Sequence, residues 1–363
     1  MDIFALTCTV WLKQFSILRK KRIRRNDIRR HLQLVFLMII VVVPSNSLFS
    51  GDKIIIAHRG ASGYLPEHTL AAATLAYAQG ADYIEQDVVM TKDDRVIVLH
   101  DIHLETTTNV AEVFPGRARD DGRFYAIDFT LAEIRQLKAV ERINRKTGQP
   151  VFPGRFPANQ SRFFVPTLNE EIELIRGLNK VFNKNVGIYV EIKAPAWHQE
   201  EGKDLTRKTL DILYEYGYND AQSTCFIQCF DPATLKRLRF ELKTALPLIQ
   251  LIGENSWNLS SADYTVLQTS EGLKEIAAYA NGIGPWLKHI VTGVDADNQP
   301  QISDLVTNAQ SLDLLVHPYT FRADQLPKHI SSYEAFVRLF AFRIGVDGLF
   351  TDYVDLTRAA FND

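Results

Sequence analysis

From Lys53 onward, short apolar runs alternate with segments of helical period. Ile54-Ile55-Ile56-Ala57-His58 reads as a buried strand, and Thr69 to Gln79 as a helix with Thr69 as N-cap and Gly80 just past its end. Further strands are predicted at Tyr83 to Val89, Val186 to Lys193, Cys225 to Phe230, Leu246 to Leu251, Leu312 to His317 and Leu349 to Asp352. Asp231-Pro232 opens another helix, with an N-cap followed by proline at the first helical position. This alternation predicts a parallel α/β fold covered on both sheet faces.

Two features favour a TIM (β/α)8 barrel over an open sheet. No Gly-x-Gly-x-x-Gly loop follows the first strand, and polar residues gather where strands end: His58-Arg59, Glu85 with Asp87, Glu191 with Lys193, His317, and Thr351-Asp352. Residues 102–167 break the rhythm. They are rich in Arg, Asp, Gly, Pro and Phe and carry Phe-Pro-Gly-Arg twice, at 114–117 and 152–155. One helix is expected within them, because Thr130-x-x-Glu133 is a capping box ahead of Ile134 and Leu137. The segment is predicted to be a small inserted subdomain near the active-site rim.

Charge separates the N-terminus from the rest. Residues 1–50 hold nine Lys/Arg against Asp2 and Asp27, then ten apolar residues from Leu34 to Val43, then Pro44-Ser45-Asn46-Ser47. That order is the layout of a secretory signal peptide, predicted over residues 1–47, with the barrel domain over 48–363. Ten helical residues span only ~15 Å, against a bilayer core of ~30 Å. An uncleaved N-terminal anchor, the one expected membrane contact, and a basic arm for nucleic acid are the alternatives. The expected location is periplasmic, or otherwise exported. Of 41 basic and 43 acidic residues, the leader takes nine and two, so the remainder has a net charge of −9 and is no nucleic-acid binder. Cys225 and Cys229, the cysteines left, share a strand face ~13 Å apart, too far to bond, and are expected to be buried packing residues.

The strand period of two puts Glu85 and Asp87 on one face, and likewise Glu191 and Lys193, with Ile188, Val190 and Ile192 turned to the helices. Three carboxylates converging on a barrel mouth repel one another unless neutralised, and a hard divalent cation, Mg²⁺ or Ca²⁺, is the simplest remedy. Lys92-Asp93-Asp94-Arg95 is a candidate hairpin with Asp93-Asp94 as a two-residue turn; paired residues then sum to 187, which sets His100 opposite Asp87. With His58 at the end of the first strand, the rim holds two histidines, an arginine, a lysine and three acids. Such a set suits phosphodiester hydrolysis: a Lewis-acid cation, Arg59 and Lys193 against the phosphoryl charge, and two histidines as general acid and base. No Gly-x-Ser-x-Gly elbow competes with this reading.

These residues resemble the glycerophosphodiester phosphodiesterase family. The likeness rests on His58-Arg59-Gly60-Ala61-Ser62-Gly63, Pro66-Glu67-His68-Thr69, Glu85-x-Asp87, Thr91-Lys92-Asp93, His100-Asp101, Glu191-Ile192-Lys193 and Phe350-Thr351-Asp352, spanning about residues 53–355. The long insertion and His317-Pro318-Tyr319-Thr320-Phe321-Arg322 are similar to the family's periplasmic branch. The resemblance implies a TIM barrel that hydrolyses deacylated phospholipids, small-molecule glycerophosphodiesters, to sn-glycerol 3-phosphate and an alcohol. It implies His58 and His100 as the acid/base pair and Glu85, Asp87 and Glu191 as ligands of one divalent cation, often Ca²⁺ in this branch. Arg59 and Lys193 would contact phosphate, Tyr319 would be the aromatic wall, and Glu67 would support the metal site indirectly. His68 stands where Asn is commoner, and Val354 where Pro is usual. The alternatives are a related TIM-barrel phospholipase on intact lipid, of sphingomyelinase D or phosphatidylinositol phospholipase C type, and a surface binding protein that has lost catalysis. An intact-lipid enzyme would expose an apolar rim; a binding protein would lack part of the site set, which is complete here.

Overall fold

A computed structural model describes residues 53–160 and 162–362; the signal-peptide reading lies outside them. Eight parallel strands form the barrel wall: β1 (Ile54–Ala57), β2 (Tyr83–Met90), β4 (Gly187–Ile192), β5 (Cys225–Cys229), β6 (Leu248–Ile252), β7 (Gly282–Pro285), β10 (Leu315–Val316) and β11 (Gly348–Thr351). β3 (Val96–Val98) pairs antiparallel with β2, while β8 (Val291–Val294) and β9 (Pro300–Ile302) make a separate ribbon. Between β10 and β11 the wall is bridged by Asp347 N donating to Val316 O (3.0 Å) and Phe350 N donating to Pro318 O (3.1 Å). The chain is therefore a nearly closed TIM barrel.

The period-two expectation holds on both sides of the wall. Tyr189, Phe226, Ile249, Ile56 and Phe350 fill the barrel interior, whereas Ile84, Val88, Ile188, Val190, Ile192, Cys225 and Cys229 pack in the outer core. Both cysteines are buried and free. Helices begin where their caps were expected: Thr69 caps Leu70–Ala78, Asp231 caps Pro232–Lys236, and Thr130 with Glu133 makes a complete capping box for Leu131–Ile134.

Three expectations need correction. The predicted strand from Leu312 shrinks to Leu315–Val316, because Asp313 takes a left-handed conformation (φ 57°) that interrupts it. β7 was not foreseen: Gly-Ile-Gly-Pro lacks strand character, and glycine is present because a Cβ on Gly282 would come within 2.6 Å of Leu315 O and one on Gly284 within 2.6 Å of a Leu251 methyl. The hairpin register is the third. Val88 pairs with Val98 and Met90 with Val96, so pairs sum to 186. Asp94 adopts φ 60°, which makes the loop three residues, Lys92 to Asp94, and slips every pair by one. Leu99, not His100, thus faces Asp87, its N–H donating to Asp87 O (2.9 Å).

Residues 102–167 carry short helices and isolated bridges. Leu104, Val110, Phe124, Phe129, Ile134, Leu137 and Val165 gather in a second apolar cluster, resting on Val89, Ile97 and Leu99 of the hairpin.

Candidate active site

A cavity of about 200 Å³ is lined by His58, Arg59, Glu85, His100, Glu191, Lys193 and Tyr319, together with Gln228, Phe230, Trp257, Trp286 and Arg322. Seven of the eight residues expected at the site therefore share one cavity. The eighth, Asp87, is 1% exposed and sits against three of its neighbours: Arg59 Nε at 3.6 Å, Lys193 Nζ at 3.7 Å and His68 Nε2 at 2.6 Å.

Local structure aims each group. Past β1 the chain turns sharply, with Arg59 at φ 60° and Gly60 at φ 78°. A Cβ on Gly60 would lie 2.8 Å from the Ala72 carbonyl carbon, so only glycine lets the turn rest on the Leu70–Ala78 helix. The left-handed Arg59 presents its N–H to Glu85 Oε2 (2.7 Å). His58 Nδ1 lies 2.6 Å from Asp352 Oδ1, just beyond β11, and His100 Nδ1 lies 2.6 Å from Asp101 Oδ1. His100 reaches the rim because the chain leaves the sheet after Val98, not through strand pairing. Each histidine is thus backed by a carboxylate on Nδ1, which fixes its tautomer and leaves Nε2 as the working nitrogen.

Burial and neighbouring charge set the protonation states. Burial, reinforced by Arg59, depresses His58 to about 4 despite Asp352. Burial, with Arg59 and Lys193, takes His100 to about 3. Burial would raise Asp87, but Lys193, His100 and His68 outweigh it and hold that carboxylate well below its usual range. Glu85 is pushed well above the ordinary range by burial and by Asp87 and Glu191 beside it. Lys193 stays charged, because Glu191 (2.6 Å) and Asp87 overcome its burial.

This set fits a divalent cation. Asp87 Oδ1 is buried with no hydrogen-bond partner, and Glu85 is crowded by the Asp87 and Glu191 carboxylates in a buried setting. Among the described residues, the donors that converge within 4.8 Å of one another are His68, Glu85 and Asp87. Glu191, expected as the third ligand, bonds Lys193 Nζ (2.6 Å) and lines the same cavity as Glu85. His68 was visible in the sequence only as a substitution within a motif.

Sequence reasoning also missed the arginine network behind the histidines. Arg155 and Arg322 both bond Asp352 Oδ2 (2.7 and 2.8 Å), while Arg142 joins Asp101 Oδ2 (2.7 Å) to Glu67 (2.7 and 2.9 Å). Glu67 in turn receives Arg59 Nη1 (3.0 Å). Arg142 and Arg155 lie in the irregular 102–167 segment, where no periodicity marks them.

Known proteins resemble this chain in sequence and in fold. The model of the glycerophosphoryl diester phosphodiesterase family matches residues 58–356. The glycerophosphodiester phosphodiesterase of Haemophilus influenzae is 41% identical over 86% of this chain and 90% of its own. That of Treponema pallidum is 36% identical over 85% and 91%. Among solved structures, an Oleispira antarctica phosphodiesterase in complex with its product sn-glycerol-3-phosphate superposes with a TM-score of 0.56, at 21% identity, covering 85% of this chain and 97% of that one. A glycerophosphodiester phosphodiesterase from Agrobacterium tumefaciens gives 0.56 at 22% identity, covering 85% and 99%. These two likenesses concern the fold.

Proposed function

Because the chain belongs to the glycerophosphoryl diester phosphodiesterase family, we propose that this cavity hydrolyses glycerophosphodiesters to sn-glycerol 3-phosphate and an alcohol by histidine acid–base catalysis with one divalent cation. Glycerophosphodiester phosphodiesterase activity follows from the membership itself. The finer reading is carried by one observation: two histidines, each backed on Nδ1 by its own carboxylate, line the same small cavity as Arg59 and Lys193.

Arg59 and Lys193 hold the diester's non-bridging oxygens and offset the charge that spreads over them at the transition state. One imidazole Nε2 takes the proton of the attacking oxygen; the other gives a proton to the departing alkoxide, so one P–O bond forms as one breaks. Asp352 and Asp101 stabilise the imidazolium that each histidine becomes in turn. Glu85 and Asp87, with Glu191 or His68, would hold a hard cation, Ca²⁺ or Mg²⁺, whose chemistry is Lewis-acid polarisation of a phosphoryl oxygen. Tyr319, its hydroxyl tied to Ile252 O (2.9 Å), offers a ring for the substrate's carbon skeleton. The basic, then apolar, then small-residue order of residues 1–47 supports export to the periplasm.

The test offers glycerophosphocholine, glycerophosphoethanolamine and diacyl phosphatidylcholine vesicles to the purified protein, with glycerol 3-phosphate and free alcohol quantified. Release of glycerol 3-phosphate from the two deacylated diesters at more than tenfold the rate on vesicles is expected. Faster cleavage of the diacyl lipid would overturn the substrate assignment.

A further inference from the structure

We propose that the 102–167 segment completes the active site by supplying two positioning residues, Arg155 for the His58–Asp352 pair and Arg142 for the His100–Asp101 pair. The inference rests on the reading of those histidines as the acid and the base.

The two pairs are built alike. In each, one carboxylate oxygen meets the imidazole Nδ1 at 2.6 Å and the other meets an arginine of the segment at 2.7 Å. A carboxylate gripped at both oxygens is held against rotation about its Cβ–Cγ bond, and with it the ring it bonds; Arg155 shares the grip on Asp352 Oδ2 with Arg322 (2.8 Å), and Arg142 shares that on Asp101 Oδ2 with Thr106 (2.8 Å).

Each arginine is anchored on its far side. Arg155, its side chain 4% exposed, bonds Asp324 (2.8 and 3.1 Å) and Ser62 O (3.1 Å), with the Phe152 ring 3.7 Å from its guanidinium carbon. Arg142 is held by both oxygens of Glu67. Neither lines the cavity, so neither is placed to touch substrate. The repeated Phe-Pro-Gly-Arg acquires a meaning here. In both copies the arginine N–H donates to the phenylalanine O (3.1 Å), which closes a turn that folds the guanidinium back towards the ring. The copy at 114–117 directs Arg117 to Glu133 and Asp128 O within the segment; the copy at 152–155 directs Arg155 to the catalytic carboxylate.

A staple that merely fastened the segment to the barrel would move stability, not the chemistry of His58. The full chain is therefore compared with Arg155→Met, Arg155→Lys, Arg142→Met, Arg142→Lys and Asp324→Asn, the last loosening Arg155 without altering Asp352. For each Met variant we expect kcat to fall by ~10- to 100-fold with KM within about twofold. Lysine should recover part of that loss. In Arg155→Met the pH limb governed by His58 should move to higher pH, because a positive charge has left its carboxylate while Arg59 and Arg322 remain. Asp324→Asn should lower kcat in smaller measure with KM likewise held, and stands in for Arg155→Met should that variant not fold. Unchanged kcat, or a loss that follows thermal unfolding with the pH limb in place and no rescue by lysine, overturns the proposal. His58→Ala and His100→Ala, assayed alongside, separate the two levels: if they retain full activity the histidine reading falls, whatever the arginine variants do.

Discussion

Glu171 is a buried acid outside the active site, and its titration should be measurable as stability. It lies in the first turn of the Leu168–Phe182 helix, 1% exposed, with Oε1 accepting from Gln86 Nε2 (3.1 Å) on the outer face of β2. Oε2 has no partner. Burial raises its pKa from 4.5 to about 8, so the folded protein holds the proton at neutral pH while the unfolded chain releases it. With the folded value above the unfolded one, the unfolded state binds fewer protons between the two, and stability falls as pH rises through that window. Linkage over the interval from pH 5 to pH 8 gives a loss of roughly 3–4 kcal/mol from this group. Glu171→Gln keeps the shape and the acceptor but cannot ionise. Urea midpoints of both proteins, followed by tryptophan fluorescence, should therefore diverge as pH rises, the variant gaining on the parent by about that amount over the same interval. Other titrating groups cancel in the difference. A stability difference that stays constant from pH 5 to pH 8 would refute the reasoning, whatever fixed offset the buried amide adds.

Two further outcomes are expected. Incubation with EDTA followed by gel filtration should abolish turnover of glycerophosphocholine, and Ca²⁺ or Mg²⁺ should restore it; full activity after chelation would remove the cation from the account. Gly187→Ala should lower stability by ~1–3 kcal/mol in urea unfolding, because its Cβ would fall within 2.3 Å of the Tyr83 ring inside the barrel; an unchanged midpoint would show that the ring moves aside freely.

How much could be read without coordinates depended on whether a feature was local. The strand Gly187–Ile192 declares its two faces because alternation survives burial on both sides: Tyr189 and Glu191 turn inward, Ile188, Val190 and Ile192 outward. Thr69, Thr130 and Asp231 announced helix starts because a cap is a bond between near neighbours. The hairpin failed on one residue. Asp94 accepts a left-handed conformation that no residue type demands of it, and that choice slips the register by one. β7 was invisible because its glycines answer to Leu315 and Leu251, which are distant in sequence. The same limit hid Arg142 and Arg155, whose partners Asp101 and Asp352 lie 41 and 197 residues away. The eight residues assigned from motifs lie together, yet what holds the histidines in place had to be seen.

The central claim is that His58 and His100 share the proton transfers of diester hydrolysis in one cavity. Its most direct test is the turnover of glycerophosphocholine, followed by ³¹P NMR, for His58→Ala, His100→Ala and the double variant. Each single change should lower kcat by ~10²–10⁴-fold. The double variant should lose little more than the worse single one, since the two groups act as a unit. Retention by either single variant of more than about a tenth of the parent rate would contradict the account.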